Sequence, residues 1–219
     1  MGIRKRDHQD LPSPAFKFVS GNPGLDFINT VDWTEQGLRD ERLIDYESLV
    51  SWGANSGVIA PEIASQLAAR DFSTQEKWVA LAAARELRNI LQHILARTAE
   101  GREPDKDALK TLNQSVSEAF SRMHLSDRGG NSAGEPLLWN WNGMGSEPTC
   151  MLWPVLWSAA ALLAGEEVRR VRVCAGVACG WMFLDHSRNG LRRWCEMSTC
   201  GARAKARRYY ERTRGGAAP

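Results

Sequence analysis

Four cysteines near the C-terminus constrain the fold of this 219-residue chain more than any other feature. They form two pairs of equal spacing, Cys174-x4-Cys179 and Cys195-x4-Cys200, with fifteen residues between the pairs. Two close cysteine pairs joined by a segment of hairpin length are typical of a tetrahedral zinc site with four thiolate ligands. Because four protein ligands complete the coordination sphere, we expect one structural Zn²⁺ ion and no position for a catalytic water.

The expected compartment bears on this metal assignment. The N-terminus has basic residues without an apolar stretch behind them, which predicts no secretory signal, and the longest apolar run, 151–165, is too short to span a bilayer. We therefore expect a cytoplasmic protein without a membrane partner, whose reduced thiols favour a metal over disulfides. Iron held by four thiolates is the alternative metal. Cys150 is expected to be a reduced core or surface thiol, and His186 a turn residue.

Charge is distributed unevenly along the chain. From position 168 onward there are twelve Lys and Arg against three Asp and Glu, whereas the rest of the chain has sixteen against twenty-three. Such asymmetry favours a polyanion-binding segment on an acidic body, and clustered guanidinium groups suit contacts with DNA phosphates. A solvated helix that pairs with the acidic body is the alternative. The candidate DNA-binding residues are Arg192, Arg193, Arg203, Lys205, Arg207 and Arg208.

Hydrophobic periodicity predicts a helical body and a small C-terminal module. Apolar residues recur at helical spacing over 74–98, where Ser73 can cap the helix. Weaker patterns predict helices over 46–56, 60–70, 104–123 and 151–164, a strand at 16–18, and an irregular hairpin joining 124–125 to 137–141. The predicted fold class is mainly α with a small β component (α+β). A mobile segment (1–15) precedes a helical domain (16–165) and a four-cysteine zinc finger (166–219).

Within the finger, we expect a knuckle, a β-hairpin, a second knuckle and a helix. Residues 180–185 and 191–194 are the predicted strands, and Asn189-Gly190 is a favourable turn between them. Ser198 or Thr199 can cap a helix that runs from Cys200 over the Arg-rich segment. The large aromatic residues of this segment are expected to form a small core around the zinc, namely Trp181, Phe183 and Trp194.

These motifs resemble a known family. The run Cys-Gly-Trp-Met-Phe-Leu-Asp-His-Ser-Arg-Asn-Gly-Leu-Arg-Arg-Trp-Cys-Glu-Met-Ser-Thr-Cys-Gly-Ala-Arg-Ala-Lys, from Cys179, is similar to the CGNR zinc finger. Gly-Leu-Asp-Phe-Ile-Asn-Thr-Val, from Gly24, resembles the start of the ABATE domain that accompanies it. The resemblance implies a bacterial, stress-responsive transcription regulator with a DNA-binding finger. It carries over the four cysteines as zinc ligands, and Arg203 and Lys205 as signature residues. The signature Asn is replaced by Ala202, which puts one DNA contact in question.

Three polar residues of the ABATE-like segment are candidates for a small-molecule pocket: Asp26, Asn29 and Thr30. Side chains of this kind also cap turns and helices routinely, and we favour that structural interpretation. In a transcription regulator, the helical domain is expected to sense a ligand or to form a homodimer.

The preferred functional prediction is a DNA-binding transcription regulator whose finger presents its Arg-rich helix to DNA. The alternative is a zinc-stabilised interaction module that docks on an acidic partner or subunit without binding DNA. We expect no enzymatic activity, because the chain contains no nucleophile–base pair or phosphate loop, and His8, His93 and His124 are isolated.

Overall fold

The computed structural model describes residues 16–34, 37–127 and 136–215, so the predicted mobile segment 1–15 lies outside the described residues. Within these ranges, the α-helices are α1 (Pro23–Ile28), α2 (Tyr46–Asn55), α3 (Pro61–Ala69), α4 (Thr74–Ala99), α5 (Lys106–Phe120), α6 (Leu152–Ala164) and α7 (Ala202–Gly215). Three antiparallel two-stranded sheets pair β1 (Asp32–Thr34) with β2 (Gly37–Arg39), β3 (Met123–Ser126) with β4 (Leu138–Trp141), and β5 (Val171–Val173) with β6 (Met182–Leu184). The predicted mainly α fold with a small β component is confirmed.

Helix α4 is the central element of the helical region. Ser73 accepts a hydrogen bond from the backbone N–H of Glu76, whose carboxylate accepts one from the Ser73 N–H, so the predicted cap is present as a capping box. Its apolar side, including Ala84, Leu87 and Leu91, is buried against α1, α2, α5 and α6.

Among the described residues, no helix has the length and apolar character needed to cross a membrane.

Most of the predicted helices agree with the structure, and so does the predicted hairpin between 124–125 and 137–141. The segment predicted as one helix over 104–123 is shorter, because α5 ends at Phe120 and β3 begins at Met123. The predicted pairing of 124–125 with 137–141 is confirmed, with His124 opposite Asn140. The strand expected at 16–18 is wrong, since this segment is irregular and leads into α1, while β1 and β2 have no counterpart in the prediction.

The second predicted hairpin is wrong in its partners. Strand β6 pairs with β5 rather than with 191–194, so the hairpin encloses the first cysteine pair instead of lying between the two pairs. The physical reason lies in Asp185 and Arg192. The Asp185 carboxylate accepts hydrogen bonds from the N–H groups of Ser187 and Arg192, which closes the 186–191 loop without a ladder. Burial of β6 on the helical region then favours β5 as its partner.

The β5–β6 hairpin shares the main core of the protein. Val171, Met182 and Leu184 are buried together with residues of α1, α4 and α6. The segment that carries the cysteines is therefore joined to the helical region by packing as well as by the chain. This joint determines what surrounds the candidate metal site.

Candidate metal centre and basic helix

Two structural elements bring the four cysteines together. Cys174 follows β5 and Cys179 lies just before β6, so the loop of one hairpin carries the first pair. Cys195 precedes a π-helical turn, Met197–Gly201, that contains Cys200 and continues directly into α7. All four Sγ atoms lie within 4.8 Å of one another, and the Cys179–Cys195 and Cys195–Cys200 Sγ pairs are 3.7 Å apart.

This geometry fits zinc. A tetrahedral ion with Zn–S bonds of about 2.3 Å holds its sulfurs about 3.8 Å apart, close to the observed spacing. Backbone N–H groups of Gly176 and Cys195 each donate to Cys174 Sγ at 3.4 Å, an arrangement that stabilises thiolate ligands. A Cβ at Gly176 would lie 3.1 Å from Cys200 Sγ, so any larger residue here would press on the sulfur cluster. The four buried cysteines can bind one zinc ion, with no fifth ligand supplied by the described residues.

Hydrogen bonds among the thiols shift the pKa values of Cys174, Cys179 and Cys195. Hydrogen bonds from the Cys179 and Cys195 thiols lower the pKa of Cys174. The hydrogen bonds to Cys174 hold the protons of Cys179 and Cys195, which raises the pKa of both thiols and makes their deprotonation unfavourable. A divalent cation removes that penalty, so zinc binding must release protons from the cluster.

An aromatic shell surrounds the cysteines. Trp181 and Phe183 are buried and Trp194 is partly buried against them, which agrees with the predicted small core. Trp33 also packs on this cluster, and its backbone N–H donates to the Cys179 carbonyl at 2.9 Å. The sequence prediction missed Trp33 because β1 lies about 145 residues away along the chain.

The three polar residues of the ABATE-like segment have partners within the protein. The Asn29 side chain accepts from Met182 N–H at 2.9 Å and donates to Met182 C=O at 2.8 Å, so it mimics a neighbouring strand for β6. Asp26 accepts a hydrogen bond from the Ser20 N–H at 3.1 Å. Burial raises the pKa of Asp26, and this effect outweighs the lowering by the hydrogen bonds with Ser20. Thr30 donates to the Phe27 carbonyl at 2.8 Å. All three side chains are buried.

A partly buried ion pair supports this segment from α4. Arg88 is 1% exposed, and its guanidinium donates to the Glu41 carboxylate and to Thr30 Oγ1 at 3.0 Å. Burial alone would raise the pKa of Glu41, but the hydrogen bonds and charge of Arg88 lower it overall. The sequence analysis missed Arg88, although it occupies the apolar spacing of α4 between Ala84 and Leu91, which is a recognisable signal.

Arg192, one of the six candidate DNA-binding residues, is turned inward. Its guanidinium donates to the carbonyls of Trp194 at 3.0 Å, Cys195, and Val19 at 3.3 Å, and it lies 4.2 Å from the centre of the Phe183 ring. These contacts tie the second knuckle to Val19 and to Phe183 of β6. Arg192 therefore has a structural role in this arrangement.

The other five candidates are exposed. Arg193 lies over the Trp194 ring at 5.4 Å, and Arg203, Lys205, Arg207 and Arg208 project from α7. The predicted cap at Ser198 or Thr199 is wrong, because the π-helical turn enters α7 directly and Thr199 donates to the Glu196 carboxylate instead. Cys200 lies in that turn, so the metal would anchor the start of the basic helix.

Two groups outside the cluster also have defined positions. Cys150 is fully buried in the main core, where burial raises the pKa of its thiol. His186 is exposed, and its Nδ1 lies 3.3 Å from Arg170 Nη1, away from the four sulfurs. Neither residue is part of the candidate metal site among the described residues.

Comparison with known families accounts for most of the chain. Residues 21–166 match the model of the ABATE family, described as "Putative stress-induced transcription regulator". The chain belongs to the ABATE family. Residues 170–213 of this ABATE protein match the CGNR zinc finger, and that match includes all four cysteines and most of α7. No curated protein matches the chain in sequence. The resemblance predicted from the cysteine spacing and the N-terminal motif is confirmed.

Proposed function

We propose that this ABATE protein is a transcription regulator that binds duplex DNA through α7, whose position is set by a structural zinc ion. The observation that carries the proposal is the combination of a helix with four exposed cationic side chains in its first two turns and a buried four-cysteine cluster at its start. Each phosphate that a cation neutralises releases counterions, so such a helix favours DNA.

The proposed DNA surface comprises Arg193, Arg203, Lys205, Arg207 and Arg208. Arg192 is left out because its guanidinium is already engaged with backbone carbonyls and its release would expose the ring of Phe183. In this proposal, Arg192 acts on DNA binding only through the position of the second knuckle. The proposal includes a bacterial cytoplasmic location, with nucleoid association when DNA is bound, because four thiolate ligands need a reducing compartment.

The competing hypothesis is an interaction module whose basic helix docks on an acidic surface. Intramolecular docking is disfavoured, because every side chain described beyond Ala204 in α7, up to Thr213, is exposed. Docking on a separate acidic partner stays an outcome of the test below. We propose no enzymatic role.

A ligand-sensing or dimerising role of the helical region stays a proposal. An effector at Asp26, Asn29 or Thr30 would have to displace their hydrogen bonds within the protein. The surface at which we expect a homodimer contact is apolar and exposed, with Trp139 and Trp157 6.2 Å apart between ring centres. Sedimentation of the protein and of Trp139→Ser tests this assignment.

The DNA-binding proposal is tested by fluorescence anisotropy with zinc-loaded protein and a labelled duplex at several salt concentrations. We expect log affinity to fall linearly with log salt. The variant Arg207→Ala plus Arg208→Ala should reduce the slope by about two, at about 0.9 per phosphate contact.

The matched control for this experiment is Lys106→Ala plus Lys110→Ala, which removes two exposed cations from α5. Its salt slope and affinity should stay at the wild-type values. An affinity for duplex DNA that ignores both salt and the α7 substitutions would contradict the proposal and leave the interaction module as the better hypothesis.

A further inference from the structure

One side of α7 faces the body of the protein. Among the side chains described in Ala202–Thr213, Ala204 is the one that is partly buried. It lines a groove of about 160 Å³ together with Arg203, Arg207 and the first knuckle, which includes Gly176 and Val177. The orientation of α7 about its own axis is therefore known: Ala204 points inward.

The opposite side of α7 has an unusual composition for a basic helix. With 3.6 residues per turn, the positions that lie opposite Ala204 are Ala202, Ala206, Tyr209 and Thr213. These four residues, hereafter the outward strip, are spaced four, three and four apart, so they form one continuous row. All four are exposed, and none carries a charge. Thr213 donates its hydroxyl to the Tyr209 and Tyr210 carbonyls at 3.1 Å, which leaves its methyl group free.

Cationic rows flank the outward strip on both sides. Arg203 and Arg207 form one row and continue to Tyr210, whereas Lys205, Arg208 and Arg212 form the other. The cations are thus divided between two sides of the helix, with the uncharged strip between them. A helix that only needed to stay solvated would have no reason to exclude charge from the exposed side that lies opposite Ala204.

We infer that the outward strip is the base-reading surface of α7, and that it recognises A·T base pairs by their thymine methyl groups in the major groove. This inference rests on the proposed DNA-binding function. The methyl groups of Ala202, Ala206 and Thr213 are of the kind that contacts the thymine C5-methyl group, and the Tyr209 hydroxyl can hydrogen-bond to a base edge. The two cationic rows reach the two phosphate backbones that border the groove.

The dimensions of α7 suit this arrangement. A helix with its side chains is about 10–12 Å wide, and the major groove of B-DNA is about 12 Å wide. With the strip at the floor of the groove, the rows on either side of the helix point toward opposite walls. Small alanine side chains at the centre of the strip allow the helix backbone to come close to the bases. A large or charged residue at position 206 would prevent that approach.

The first experiment selects binding sites for the full-length, zinc-loaded protein from a randomised duplex library. We expect an enriched site with A·T pairs at its centre. Deoxyuridine then replaces thymidine at single positions of that site, which removes only the C5-methyl group. We expect losses of severalfold in affinity at two or three adjacent positions and no change at flanking positions, with an unchanged salt slope.

Adjacent tyrosines provide a matched pair of variants. Tyr209 lies in the strip and is 59% exposed, whereas Tyr210 lies in the Arg203 row and is 63% exposed. Tyr209→Ala should reduce the preference for the selected site over a scrambled duplex by about tenfold. Tyr210→Ala should keep that preference. Ala206→Gln should also reduce the preference, and circular dichroism and zinc content verify that each variant folds.

The outcomes separate this inference from the function on which it rests. Base reading by the strip is overturned if binding depends on salt but shows no sequence preference. It is also overturned if neither Tyr209→Ala nor deoxyuridine alters the preference. In both cases the proposed DNA-binding function is retained. An equal loss of preference in Tyr209→Ala and Tyr210→Ala would also overturn base reading by the strip. Absence of duplex binding by the wild-type protein would overturn the proposed function itself.

Discussion

Gly180 brings the metal centre against the backbone of β1. It follows Cys179 directly and has a φ of +64°, in the left-handed region where a side chain is disfavoured. A Cβ at this position would also collide with the Trp33 carbonyl. The residue therefore serves two purposes, since it turns the chain after a zinc ligand and permits the hydrogen bond between Trp33 N–H and the Cys179 carbonyl.

Gly180→Ala should therefore lower both the free energy of unfolding and the zinc affinity. The left-handed conformation costs about 1–2 kcal/mol for a residue with a side chain. The collision with β1 should add a further loss of about 1–3 kcal/mol, as overpacking does elsewhere. Denaturant unfolding measures the first effect, and competition with a chromophoric chelator measures the second.

Gly190 supplies the control for this prediction. It has the same φ of +64°, but a Cβ there meets nothing within 4 Å. Gly190→Ala should show the conformational loss alone and leave zinc affinity unchanged. Equal losses in the two variants would show that Gly180 has no special contact with β1.

At the scale of elements, the segment from α1 to Arg42, just beyond β2, connects α4 to the hairpin of the candidate metal centre. Arg88 of α4 donates hydrogen bonds to Glu41 and Thr30, and Asn29, the residue before Thr30, donates one to the Met182 carbonyl of β6. Arg42 lies 5.1 Å from the Trp181 ring centre and pairs with Asp32 at 3.1 Å. Polar contacts on both sides of β1 thus link the helices to the finger.

The Arg88–Glu41 pair predicts a specific dependence of stability on pH. Because Arg88 lowers the pKa of folded Glu41, its contribution to stability is present above the unfolded-state value, about 4.5, and is lost as the pH falls through the folded-state value. Glu41→Gln should be less stable at pH 7, by about 2–4 kcal/mol, since the carboxylate is 29% exposed and a fully buried pair loses more. Its stability should fall less than that of the wild type between pH 5 and pH 3.

Urea unfolding at a series of pH values tests the Glu41 prediction. The control is Glu62→Gln, which removes an exposed carboxylate from the start of α3. Its stability curve should run parallel to that of the wild type. A Glu41→Gln curve parallel to the wild type down to pH 3 would contradict the role of the pair.

For the whole molecule, the shared core links metal binding to the stability of the helical region. Val171, Met182 and Leu184 are buried with the helices, and the loop of their hairpin carries Cys174 and Cys179. A ligand that binds only the folded state stabilises it by about 4 kcal/mol at a thousandfold excess over its Kd. Loss of zinc should therefore also lower the stability of the helical region.

Removal of zinc by a chelator should lower the Tm of the whole protein. We expect tryptophan fluorescence and the helical circular dichroism signal to shift together, because the hairpin and the helices unfold as one unit. Cys195→Ser should behave as the zinc-free wild type, whereas Cys150→Ser should retain one zinc ion per chain. If the Tm of the helical signal is the same with and without the chelator, the two regions unfold independently.

The sequence alone determined the features that depend on local spacing. Two equal cysteine pairs located the candidate metal ligands, and periodic apolar residues together with Ser73 located α4, because both signals lie within a few turns of chain. Charge counting located the basic segment for the same reason.

Only the tertiary structure decided how these parts are joined. Asn29 serves as a strand partner of β6, Arg192 is held by carbonyls of the finger, and β5 replaces 191–194 as the partner of β6. The direction in which each cation of α7 points also follows from the burial of Ala204 against the first knuckle. Each of these outcomes depends on contacts between residues that are distant in sequence or on competition for one hydrogen-bonding group, and local patterns carry no information about either.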